Sequence, residues 1–312
     1  MRSFSRIRAG LLGGAVFLLS GWTAWAGPFS ERILFVANPG GLSKIYIVRP
    51  DGKDLSRLTH SHGLEREPQV STAVRSVAYR GTRDGNDEIY RCNLVGNEIT
   101  RLTHNPASDR QPSWSPDGER IVFATQRWGE EELAIIDSRK GDSEGIFRLT
   151  WDRCQNCSPN WSPDGKWIVY CSCMQGQSDL YIISPDGQTK RRLTREKQED
   201  LQPNWSPDGK QIVYQTQRGP RDTASIAIYT LETGEIKVID LPEVANYPTW
   251  SADGQSILYV ALGTRLLPRP AQLQTYRISN GELRKFELPR LSLTSPLLTA
   301  QESEWTPFPF PW

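Results

Sequence analysis

The sequence carries almost no net charge: 37 Lys and Arg stand against 36 Asp and Glu, a formal balance of +1. That excludes the dense basic surface by which a protein holds nucleic acid or an anionic membrane. Only three histidines occur, and there is neither a Gly-x-Ser-x-Gly elbow nor a glycine-rich phosphate loop. Serine-hydrolase chemistry and the cradling of nucleotide phosphates are therefore both without a motif. Nothing in the sequence calls for a cofactor. The apolar stretch at the start runs only from Ala9 to Leu19. A helix that crosses a bilayer needs roughly 20 residues.

What that stretch does fit is an export signal. Arg2, Arg6 and Arg8 precede it, and Ala24-Trp25-Ala26 follows as a small-residue cleavage site before Gly27. Residues 1–26 read as a signal peptide, which places the rest of the chain in the periplasm or outside the cell with no integral membrane span. Losing the three arginines shifts the formal charge from +1 to −2. No cysteine follows the cleavage site to carry a lipid.

The main signal is a repeat. Trp-Ser-Pro-Asp-Gly begins at Trp114, Trp161 and Trp205, and Trp-Ser-Ala-Asp-Gly at Trp250, at intervals of 47, 44 and 45 residues. Nine residues after each tryptophan an aromatic closes an apolar run: Phe123, Tyr170, Tyr214 and Tyr259. The constant offset reads as strand, tight turn, strand. Proline presets the turn, Asp bonds the backbone beyond it, and Gly takes the positive φ. A third apolar run follows, then a short fourth ending in Arg-Leu-Thr at Arg57, Arg101, Arg148 and Arg192. Four short strands per unit of about 45 residues is the pattern of a propeller blade.

Aligning on the aromatics adds Tyr79, in a unit with a degenerate turn, and Phe35, giving six blades. Nine residues before Phe35 lies Ala26, at the cleavage site, so the first blade is expected to lack its own inner strand. Glu302-Ser303-Glu304-Trp305 offers a replacement, with Trp305 in the tryptophan position. The expectation is an all-β, six-bladed propeller of four-stranded antiparallel blades spanning 27–305, its ring closed by a C-terminal strand beside Ile33 to Val36. The remainder, 306–312, is a proline and aromatic tail, extended because proline blocks strand pairing. It lies over one face of the ring or serves as a recognition peptide.

Four of the five cysteines fall in one blade: Cys154, Cys157, Cys171 and Cys173. With the turn at Pro163-Asp164, Cys157 faces Cys171 or Cys173. An oxidising compartment favours disulfides, with Cys154 available to the remaining partner. A four-thiolate zinc site and free thiols stay open, although Cys-x-Cys fits zinc spacing poorly. Cys92 reads as a small core residue.

These motifs together, Pro-x-Trp-Ser-Pro-Asp-Gly, Ile-Val-Phe/Tyr, Arg-x-Gly, Ile-Tyr and Arg-Leu-Thr, resemble the propeller repeat of TolB, the periplasmic component of the Tol-Pal envelope system. The resemblance covers about Glu31 to Trp305 and lacks the α/β domain that precedes the TolB propeller. It implies a face that docks a protein partner of the envelope, such as a peptidoglycan-associated lipoprotein; the chain itself reads as a monomeric binding module and not an enzyme.

Within a propeller, the connectors entering each blade and the loops between second and third strands share one face. Five residues before each tryptophan position stand Glu65, Asp109, Asn156, Asp200 and Ala245; the loops carry Arg83, Arg127 and Arg218, with Met174 in the cysteine blade. This is either a charged ring that recognises a partner or a set of acid–arginine ties between blades. Beside the four cysteines, His60, His62 and His104, with Glu65 nearby, are candidate metal ligands. Were they to bind a metal, the alternative would be a metal-dependent carbohydrate-active enzyme resembling the polysaccharide lyases built on propellers.

Overall fold

In the computed structural model, residues 18–23, 32–38, 41–195, 197–217, 224–262 and 271–286 are described. Residues 1–17 and 24–31, Arg218, Glu302 to Trp305 and the tail lie outside them. Twenty-four strands form six four-stranded antiparallel sheets. Blade 1 comprises β1 (Leu18–Thr23), β2 (Arg32–Ala37), β3 (Lys44–Val48) and β4 (Ser56–Arg57). Blade 2 is β5 (Glu65–Ser71), β6 (Ser76–Gly81), β7 (Glu88–Asn93) and β8 (Thr100–Arg101). Blade 3 is β9 (Asp109–Trp114), β10 (Arg120–Trp128), β11 (Glu130–Asp137) and β12 (Phe147–Arg148).

Blade 4 is β13 (Asn156–Trp161), β14 (Ile168–Ser172), β15 (Asp179–Ile183) and β16 (Lys190–Arg192). Blade 5 is β17 (Asp200–Trp205), β18 (Gln211–Thr216), β19 (Ser225–Thr230) and β20 (Ile236–Ile239). Blade 6 is β21 (Val244–Trp250), β22 (Ser256–Leu262), β23 (Gln272–Arg277) and β24 (Leu283–Lys285). Each blade's first strand contacts that of the next, and β1 meets both β5 and β21, so the six form a closed ring.

The apolar runs are continuous rather than alternating because each sheet is covered on both faces. Along β2, Ile33, Phe35 and Ala37 pack toward blade 6, while Leu34 and Val36 pack toward blade 2. Six clusters of this kind fill the six spaces between neighbouring blades. The aromatics that set the count, Phe35, Tyr79, Phe123, Tyr170, Tyr214 and Tyr259, are all fully buried. Three of them pack on the aromatic directly across the sheet, the pairing that stabilises neighbouring strands. The ring centroids are 5.8 Å apart for Phe35 and Tyr46, 5.7 Å for Tyr79 and Tyr90, and 5.8 Å for Tyr170 and Tyr181.

The repeated turn is a closed set of hydrogen bonds. In all four copies the serine hydroxyl donates to the aspartate at 2.5–2.7 Å. The same serine oxygen accepts from the backbone N–H five residues on, at 2.9 Å. The turn glycines, Gly118, Gly165, Gly209 and Gly254, sit at φ 73, 74, 69 and 69 degrees. A side chain there would be strained. The tryptophan couples blades: the indole N–H of Trp114, Trp205 and Trp250 donates to the carbonyl of Gln69, Asn160 and Asn204 in the preceding inner strand. Trp161 instead bonds Gly165 in its own turn and takes the Arg120 guanidinium over its ring at 4.9 Å.

The ring closes differently from the sequence expectation. The inner strand of blade 1 is β1, from the leader region, and it pairs Trp22 with Ile33. That is the register of every motif tryptophan: Trp114 with Ile121, Trp161 with Ile168, Trp205 with Ile212 and Trp250 with Ile257. Trp22 is therefore the tryptophan of blade 1. It escapes a fixed-offset alignment because the connection from Thr23 to Arg32 is longer than the other turns. Glu302 to Trp305, expected in this place, lies outside the described residues.

Candidate functional site

The inner strands carry a bulge at the same place in each of blades 2 to 6. There Glu67, Gln111, Ser158, Gln202 and Tyr247 take positive φ, between 50 and 55 degrees. The bulge turns these groups toward the neighbouring blade. Glu67 accepts from the Gln111 N–H, the Gln111 side chain from the Ser158 N–H, and the Gln202 side chain from the Tyr247 N–H, at 2.7–2.9 Å. Around the same axis the Arg80 guanidinium lies 2.6 Å from Asp87 and 3.3 Å from Glu67, and Arg110 lies 2.9 Å from Glu131. Burial pushes the Glu131 carboxyl up and the Arg66 guanidinium down, the latter helped by neighbouring Arg80.

The three acids and the asparagine at the head of the inner strands lie inside the wall, not on its rim. Glu65, Asp109, Asn156 and Asp200 are 0–1% exposed. Lys44 of blade 1 reaches Glu65 at 3.3 Å while donating to the Ser61 and Gly63 carbonyls. Arg127 pairs with Asp109 at 2.6 Å and with Asp142 at 2.8 Å. Burial works against Asp142, but the His104 backbone and ring and Arg127 hold its carboxyl below the usual range. Arg127 and Asp142 thus tie blade 3 to the connector that leaves blade 2. Arg83 is different: 39% exposed, it lies 3.9 Å from Asp84 and over the Tyr90 ring at 5.8 Å. Arg218 lies outside the described residues.

Two features escape the sequence reading. Each Arg-Leu-Thr is a latch. Its threonine hydroxyl accepts from the third strand in blades 1 to 4. In blades 2 to 4 its arginine binds a buried acid at the head of that strand: Glu88 at 2.7 Å, Glu132 at 3.2 Å and Asp179 at 2.7 Å. Those acids look like surface charges in sequence, yet they are 0–1% exposed. The second feature is Arg148, whose guanidinium lies 4.6 Å from the Trp128 ring and 4.0 Å from that of Trp151. Trp128 ends the second strand of blade 3, and Trp151 opens the connector to blade 4, so both stand on the connector face. Trp151 is 69% exposed. Two tryptophans beside an arginine were the only sequence signal.

Beside these groups, a cleft of about 510 Å³ opens between blades 2 and 3, with Asn86, Asp87, Ser108 and Gln126 on its wall. The histidines do not gather there. His60 and His62 stand on the connector from blade 1, His104 is turned onto Asp142 at 3.0 Å, and Glu65 is held by Lys44. Among the described residues no three His, Cys, Asp or Glu side chains are placed to share a metal ion. No described helix is long and apolar enough to cross a membrane.

The five cysteines are unbridged. Cys92 is 1% exposed, and burial pushes its thiol up to about 12.

Comparison with known proteins agrees with this geometry. TolB from Acinetobacter baumannii superposes with a TM-score of 0.69 at 22% identity, over 83% of this chain and 66% of that one. The putative TolB of Agrobacterium tumefaciens gives 0.64 at 21%, over 77% and 87%. An oligogalacturonate lyase from Vibrio parahaemolyticus gives 0.61 at 14%, over 86% and 78%, a likeness of fold alone. A search of curated proteins finds no sequence match. The family profile for the TolB beta propeller domain matches residues 21–146 and 105–265, and the chain belongs to that family.

Proposed function

We propose that this chain is an exported, non-enzymatic propeller of the cell envelope that docks a protein partner on its connector face. The observation that carries the reading is the exposed group there, Arg83 and Trp151, backed by the Arg148–Trp128 stack and the cleft between blades 2 and 3. Tryptophan and arginine are the side chains that dominate protein interfaces, because they bury a large rigid area and offer directed hydrogen bonds. Glu65, Asp109, Asp200 and Arg127 act beneath that face, fixing the loops that present it. Family membership supports a partner in the envelope, and a peptidoglycan-associated lipoprotein is the one to test.

Calorimetric titration of the chain with the soluble domain of that lipoprotein from the same organism tests this. Saturable binding is expected, weakened more than about tenfold by joint replacement Arg83→Glu and Trp151→Ala. Lys166→Glu, on the turn face and 76% exposed, leaves it unchanged. Absence of binding, or equal loss from both faces, overturns the proposal. The export reading and β1 share residues 18–23, and the mass of the exported chain separates them: cleavage after Ala26 vacates the slot beside β2, whereas retention keeps β1 in the ring.

A further inference from the structure

Blade 4 departs from its neighbour at a set of places that lie close together. Where blade 3 has Asp109 and Arg127, bonded at 2.6 Å, blade 4 has Asn156 and Met174. Where blade 3 has Ala107, Arg110, Ala124 and Gln126, blade 4 has Cys154, Cys157, Cys171 and Cys173. The backbone is the same in both: the Gln126 N–H donates to Ser108 and the Cys173 N–H to Gln155, each at 3.1 Å. The ion pair that fixes the loop in blade 3 is thus missing where the thiols appear.

The register assigns partners to those thiols. Cys157 on β13 and Cys171 on β14 stand directly opposite each other. Residues so placed have Cα atoms about 4.5–5.5 Å apart, inside the roughly 4.4–6.8 Å range that a disulfide spans. Two pairs further toward the connector face, beyond Asn156 and Ser172, the Gln155 N–H donates to the Cys173 sulfur at 3.0 Å, which sets that thiol beside Cys154. The Cys154 thiol sits 3.2 Å from the hydroxyl of Ser172, the residue before Cys173. We infer that blade 4 is a double oxidation site, in which Cys157 bonds Cys171 and Cys154 bonds Cys173, the second bond stapling the connector from blade 3 to the loop that follows β14.

Each bond forms by exchange with an external disulfide oxidant. One cysteine thiolate attacks the oxidant and releases one of its halves as a thiol; the second cysteine then attacks the mixed disulfide and releases the other half. Two electrons and two protons pass from the cysteine pair to the oxidant, which leaves as two thiols. The pairs differ in access: Cys171 is fully buried, whereas Cys154 and Cys173 are half-buried. Burial pushes the Cys154 thiol up to about 12, so exchange at this pair speeds up as pH rises.

The test is intact-protein mass spectrometry of the full chain equilibrated with glutathione disulfide and alkylated after denaturation. The expected product is about 4 Da lighter before alkylation than the reduced chain and takes one alkyl group, at Cys92. Joint replacement Cys154→Ser and Cys173→Ser, or Cys157→Ser and Cys171→Ser, leaves one bond, a shift of about 2 Da. The crossed pair Cys154→Ser and Cys171→Ser leaves Cys157 and Cys173, which form no bond with each other, so any reaction there stops at the glutathione mixed disulfide and no loss of about 2 Da appears. A second sample of each variant, alkylated without denaturant, reports folding, since Cys92 is buried and resists alkylation until the core opens. A wild-type shift of about 2 Da or none, or a loss of about 2 Da in the crossed variant, overturns the assignment.

Discussion

The two faces of the ring differ in how much they repeat. On the turn face, four hairpins make the same serine–aspartate–glycine hydrogen bonds within a few tenths of an ångström. On the connector face the blades diverge: Lys44 holds Glu65, Arg127 holds Asp109, blade 4 sets four thiols together, and Arg83 faces solvent. Selection for a ring acts alike on every blade, so what repeats is what folds. What varies is free to differ because closing the ring does not depend on it.

The largest test of this division is Arg127→Met. Although it lies on the variable face, it leaves Asp109 buried without its cation and should cost about 3–5 kcal/mol in denaturant unfolding. A cost below about 1 kcal/mol would show the pair to be part of the docking surface instead. Gly209→Ala follows. Its φ is +69 degrees, and a new Cβ would lie 3.3 Å from Pro163. The left-handed conformation should cost an alanine about 1–2 kcal/mol of stability, with partner affinity unchanged. Asp208→Ala removes two turn hydrogen bonds. It should cost about 1 kcal/mol. Arg83→Ala should change stability by less than about 0.5 kcal/mol while weakening binding, which makes it the mirror image of Gly209→Ala.

Acid gives the smallest effect. The serine hydroxyl, with the backbone N–H two residues on, holds Asp117, Asp208 and Asp253 below their ordinary 3.8. A carboxylate whose pKa falls on folding adds stability above its unfolded value, and that stability is lost as pH drops through the folded one. Unfolding midpoints of wild type and Asp208→Asn should therefore converge as pH falls from about 5 toward 2. Solvent screening limits the gap to a few tenths of a kcal/mol per turn.

Spacing alone made the blade number readable, because a tight turn admits no insertion and keeps tryptophan and aromatic at a fixed offset. Trp22 was hidden for the converse reason: the connection to Arg32 is long, so the offset carries no information and only the register with Ile33 reveals it. Glu88, Glu132 and Asp179 were illegible because a charge at a strand head looks solvent-exposed until the Arg-Leu-Thr of the next strand folds over it. Arg148 between Trp128 and Trp151 joins residues from two loops, a juxtaposition that periodicity does not encode.

The most direct test of the central claim is hydrogen exchange on the full chain with and without the lipoprotein domain. The account predicts slowed exchange in residues 82–87, 104–108, 126–130 and 151–155, with the hairpins at 115–119, 162–166 and 206–210 unchanged. Protection confined to those hairpins, or none anywhere at saturating partner, would contradict it.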